Sequence, residues 1–147
     1  MTDTSTPSAP LQQPEPTLGG FRRGTMLVFR VVGAVALAAM VVQIVFAGLG
    51  AYGASFDAHR VLGGIIGMIT VLMLILVLVG RPNWLTVGLT VLLVALAVPG
   101  QSVLANLGDD TDAWFGGIHA LNGMVIMGLT SRVAFGAKGR SRAGAEG

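Results

Sequence analysis

The chain has no cysteine, one lysine, two histidines and few charges of either sign. Each scarcity removes a class of protein. Without cysteine there is no structural disulfide, no thiolate metal site and no thiol oxidoreductase chemistry. Charged residues make up 11% of the 147 positions and hydrophobic ones 53%, whereas a soluble domain carries about a quarter charged residues. So small a chain cannot bury that much apolar surface in a water-soluble core. No acidic residue sits in the middle of an apolar run, which argues against a proton-coupled exporter. A Ser-His-Asp set, a phosphate-binding glycine loop and a metalloprotease motif are all missing.

What is present is four apolar runs, at about Met26–Gly50, Ala58–Gly80, Trp84–Leu104 and Ala113–Phe135. Each approaches or exceeds the ~20 residues that a helix needs to cross a bilayer. Helices satisfy their own backbone groups in lipid, so the expected fold is an all-α, four-helix transmembrane bundle spanning residues 21–136. Arg22 and Arg23 precede a first run too long for a signal peptide, so an uncleaved anchor is expected. Residues 1–20, rich in Pro, Ser and Thr, read as a disordered cytoplasmic tail, and residues 137–147 as a basic one.

The few charges are ordered. In a four-span topology Arg22, Arg23, Arg30, Arg81, Arg132, Lys138, Arg140 and Arg142 share one side, and Arg60 alone stands on the other. The positive-inside rule places both termini in the cytoplasm of a multi-pass plasma (inner) membrane protein. The basic balance therefore reads as topology, with the lipid bilayer as the partner and no nucleic acid. Trp84, Trp114 and Phe115 read as interfacial anchors. The methionines read as packing.

The chain also repeats. "QIVFAGLG" (Gln43–Gly50) aligns with "QSVLANLG" (Gln101–Gly108), and these are the only glutamines in the apolar runs. His59 follows Gln43, His119 follows Gln101 at nearly the same spacing, and Gly63 and Gly123 each stand four residues past their histidine. A duplicated helical hairpin accounts for this order, with a pseudo-two-fold axis along the membrane normal. His59 and His119 then lie at one shallow depth near the outer face.

Two imidazoles facing each other across a four-helix bundle are the usual protein ligands of a six-coordinate haem. The expected site is thus one haem b between His59 and His119, for electron transfer or haem handling. Gly63 and Gly123 give close approach, Arg60 stands near a propionate, and Gln43 and Gln101 hydrogen-bond across the bundle. Asn122 has no polar counterpart at Leu62, and either orients His119, binds a ligand or bonds a neighbouring helix. Arg60 can also pair with Asp57 at i,i+3. Two competing readings keep the same residues: an accessory or structural subunit of a membrane complex with a protein partner, and a binder of a quinone or lipid head group through Arg60, Gln43 and Gln101.

"FDAHRVLGGIIGM" and "IHALNGMVIMGL", behind the two glutamine segments, resemble a family of small four-span bacterial membrane proteins catalogued as domain of unknown function 6220. The resemblance covers Met26 to Phe135 and implies a fold and a topology but no activity. The histidine placement is also similar to that of membrane b-type cytochromes, which commonly hold two haems on four histidines. This chain has two histidines and is limited to one such haem, which leaves no relay to the cytoplasmic face.

Overall fold

The computed structural model describes residues 18–136; the remaining residues of both predicted tails lie outside it. It is all helix: α1 (Leu18–Ala51), α2 (Asp57–Gly80), α3 (Trp84–Ala95), one π-helical stretch (Leu96–Gly100), α4 (Gln101–Asp110) and α5 (Ala113–Phe135). The π stretch joins α3 and α4 into one continuous span, Trp84–Asp110. With Gly19–Ala51, Asp57–Gly80 and Ala113–Phe135 this makes four helices long and apolar enough to cross a membrane.

Two boundaries differ from the sequence expectation. The first helix starts at Leu18, eight positions earlier than expected: no proline lies between Pro16 and Met26, and the helix runs through Gly19, Gly20 and Gly24. The third span runs on to Asp110 and includes the last turn expected to be loop. Its Pro99 lacks the N–H an α-turn requires and would meet a carbonyl one turn back, and the backbone widens into a π turn around it.

Local signals set the other ends. Asn83 caps α3 by accepting from the Thr86 N–H at 2.8 Å, and Asp112 caps α5 by accepting from the Trp114 N–H at 2.8 Å. Arg81 closes α2 in the left-handed conformation (φ 42°), with its N–H on the Val77 carbonyl. Pro82 then disfavours helical backbone at Arg81, so the chain turns there.

The spans form a ring of antiparallel neighbours. α1 packs on α2, α2 on α3, α3 on α5, and α5 back on α1. α2 and α5 therefore stand diagonally opposite. The core lies toward the Arg81 end, where Phe29, Ala36, Met73, Val77, Leu93, Ile126 and Val133 are buried. Gly33 admits Ala134 there: a Cβ on Gly33 would stand 2.7 Å from the Ala134 Cβ. Thr70, Thr90 and Thr130 are also fully buried, and each returns its hydroxyl to a carbonyl of its own helix. Toward the histidine end, beyond Met40, Ile66 and Ile126, no apolar side chain among the described residues is fully buried. The outward faces are apolar along their length, with Val31, Val35, Ile44, Val61, Ile75 and Val125 all exposed. Lipid, not water, suits such a surface.

Candidate functional site

Gln43 and His59 bind each other twice across the first hairpin. The Gln43 amide donates to the His59 carbonyl at 2.8 Å, and His59 Nδ1 lies 3.3 Å from the Gln43 carbonyl. Gln101 and His119 do the same across the second hairpin. His119 Nδ1 lies 3.1 Å from the Gln101 carbonyl. With the Gln101 amide turned to satisfy both its ends, its nitrogen faces the His119 carbonyl at 3.2 Å and His119 Nδ1 at 2.8 Å, and its oxygen accepts from the Gly123 N–H at 3.3 Å. The pairs differ in two ways: Gln43 Oε1 is buried without a partner, and only the Gln101 amide also reaches its histidine's Nδ1.

These bonds set the chemistry of the rings. A carbonyl accepts only, so His59 Nδ1 carries a proton when it bonds there, whereas His119 Nδ1 stands between the Gln101 carbonyl, which needs that proton, and the Gln101 amide NH2, which needs the lone pair. In neutral His59 the lone pair then resides on Nε2, and His119 shares that tautomer when its Nδ1 donates to the Gln101 carbonyl. Metal-ligating histidines are held in this way, with the far nitrogen donating to a carbonyl or carboxylate.

The two rings meet across the bundle. Their centroids are 6.1 Å apart and their planes are inclined at 54°. Phe56 stands edge-on to His59 at 6.0 Å, in space left by Gly50, where a Cβ would lie 2.5 Å from the Phe56 ring. Both histidines are half-buried. Among the described residues no cluster of three or more His, Cys, Asp or Glu side chains has metal-holding geometry. The histidines by themselves offer a metal two protein ligands.

The remaining candidate residues divide. Gly63 and Gly123 do adjoin the site, and the groups using their space are glutamine amides: a Cβ would meet the Gln43 amide nitrogen at 3.1 Å and that of Gln101 at 3.4 Å. Arg60 faces Asp57 at 3.9 Å and Asp109 at 3.5 Å, all three well exposed, so it links α2 to the end of α4. Asn122 turns away from the imidazoles. Its amide donates to the Leu96 carbonyl at 3.1 Å, in the π turn that Pro99 opens. Asn122 and Pro99 thus form one feature, present only in the second hairpin.

Sequence reasoning passed over the core beneath the site. Ile66 and Ile126, Thr70 and Thr130, and Met73 and Val133 are all buried, and the members of each pair stand at the same offset from His59 and His119. The paired threonines, eleven residues past each histidine, carried that signal in the sequence.

A bundle of four helices long and apolar enough to cross a bilayer, by length and hydropathy, defines a multi-pass membrane protein. Residues 43–107 match the model of a family of unknown function, DUF6220, the family that the sequence motifs resemble. The matched stretch includes Gln43, His59, Arg60, Gly63 and Gln101 and stops before His119. No curated protein and no solved structure matches the chain.

Proposed function

We propose that this membrane protein holds one b-type haem between His59 and His119, close to the outer face, for electron transfer or haem handling. The 6.1 Å between ring centroids carries the reading. Two imidazoles this close would be able to hold one metal ion between them. The donor set agrees when both Nδ1 atoms donate to the glutamine carbonyls, which leaves a lone pair on each Nε2. A haem would need only these two side chains as ligands from the protein. The histidine half of the bundle, which buries no apolar side chain of its own, is where a large apolar group gains most from burial.

Within this reading His59 and His119 ligate, and Gln43 and Gln101 fix the backbone that carries them. Arg60 is exposed and balanced by two aspartates, so a propionate there would compete with Asp57 and Asp109. When bound, the haem supplies a one-electron redox centre. The site is read as duplicated: two Gln–His pairs with corresponding bonds, above corresponding buried positions, support a repeated hairpin. The orientation follows the charges. Arg22, Arg23, Arg30, Arg81 and Arg132 lie at one end, read as cytoplasmic, and Asp57, Asp109, Asp110 and Asp112 at the histidine end.

The test is the visible spectrum of detergent-purified protein after full haem loading, oxidised and then reduced. A six-coordinate low-spin spectrum is expected, changed by His59→Ala and by His119→Ala alike. A protein that stays colourless, or a double variant that keeps the spectrum, overturns the assignment.

One observation favours a second reading, that of a structural subunit. Each glutamine amide bonds its histidine's own carbonyl, a contact that specifies helix pairing with no ligand. In that case the protein is colourless and the histidine variants lose thermal stability.

A further inference from the structure

The far end of the bundle holds a cavity that the histidine site does not explain. It has a volume of about 360 Å³ and lies between the start of α3 and the end of α5. Asn83, Thr86 and Arg132 supply its polar lining, and Leu85, Leu89 and Val133 its apolar lining. Gly136 completes the wall, and a Cβ there would run into the Arg132 guanidinium, so this glycine keeps the space in which that side chain lies. The Asn83 side-chain oxygen is taken by the Thr86 N–H and hydroxyl, which leaves its NH2 to donate elsewhere. Among the described residues no carboxylate pairs with Arg132, and none lines the cavity.

We infer that this cavity is a binding site for the phosphate head group of an anionic membrane lipid. The lining is split as such a lipid is split. A guanidinium and an amide NH2 are donors matched to phosphate oxygens, and arginine does this with a fixed fork of N–H groups. The leucines and valine beside them suit the first carbons of an acyl chain. The cavity sits at the ends of two spans, where head groups lie. The absence of a lining carboxylate among the described residues selects against a head group that carries its own cation, since the cation would find no partner there. An anionic head group leaves one negative charge to meet Arg132.

Native mass spectrometry of the delipidated full chain in detergent tests this. Phosphatidylglycerol, phosphatidylcholine and inorganic phosphate are the probes. One phosphatidylglycerol per chain is expected, held at least tenfold more tightly than phosphatidylcholine. Arg132→Gln should weaken it about tenfold or more, by removing the charged donor. Gly136→Leu should weaken it with the charge intact, by displacing the guanidinium. Arg81→Gln, at the same end but outside the lining, should leave it unchanged. Unaltered helical circular dichroism and elution volume show that each variant is folded. Equal retention of the two lipids overturns the site, as does an Arg132→Gln variant that binds like the wild type. Displacement of the lipid by millimolar inorganic phosphate shows a free-anion site and overturns the lipid assignment.

Discussion

Each histidine is held at its ring and at its peptide by one glutamine residue, through the backbone carbonyl and the side-chain amide. Gln43→Leu and Gln101→Leu remove only the amide contact. Each should cost about 0.6 kcal/mol, and no more than about 1.7, the range for hydrogen bonds between membrane helices, in a detergent thermal melt. On the proposed haem reading both variants should keep the haem spectrum, because the glutamine carbonyl beside each Nδ1 belongs to the backbone and remains. The glycines divide in the same physical way. A Cβ on Gly108 would lie 2.9 Å from the Gly116 backbone nitrogen, whereas one on Gly64 meets nothing within 4 Å. Gly108→Ala should therefore force the α4–α5 turn apart and cost about 1–3 kcal/mol. Gly64→Ala should be neutral, or stabilise by up to about 1 kcal/mol through helix propensity. Chemical denaturation of the two variants side by side checks the contrast.

At the scale of elements, the third span depends on a pair of residues. Pro99 widens the helix, and the Leu96 carbonyl in the widened turn takes a hydrogen bond from Asn122 on α5. Gly100 keeps the turn open, since a Cβ there would crowd the Ala95 carbonyl at 3.1 Å. Asn122→Leu should cost about 1 kcal/mol in the wild-type background. With Pro99→Ala in place the span can return to α geometry, and the same substitution should cost measurably less. A double-mutant cycle reads the difference as a coupling of about 0.5 kcal/mol or more. Equal costs in both backgrounds would show that Asn122 does not serve the π turn.

For the whole molecule, the absence of cysteine provides an experiment. Every introduced cysteine is the only one, so an impermeant maleimide reports the side on which it lies. Tyr52→Cys and Thr111→Cys, in the loops at the histidine end, should label in intact cells. Asn83→Cys, at the opposite turn, should label only after lysis. The reverse pattern would turn the protein over and place the histidines on the cytoplasmic side. Trp84 and Trp114, 87% and 79% exposed at opposite ends, are the positions expected to anchor the two interfaces that the labelled sites should flank.

Much of this architecture is legible in the chain itself, because lipid imposes a simple rule. Apolar length decides what can span, and four runs of sufficient length make four antiparallel helices. The rarity of glutamine and histidine in those runs singles them out, and their matching order and spacing suggest one shared site. Tertiary structure decided what such patterns cannot encode. Periodicity does not say which helices stand diagonally, and only that arrangement brings two rings on α2 and α5 to 6.1 Å. Glycine spacing does not say what fills the space, and the folded chain gives it to glutamine amides. A proline in an apolar run does not announce its partner, and Asn122 finds the Leu96 carbonyl from twenty-six residues away because packing brings their helices together. Local patterns set which segments can enter the bilayer, whereas side-chain partners depend on distances that exist only after the helices have packed.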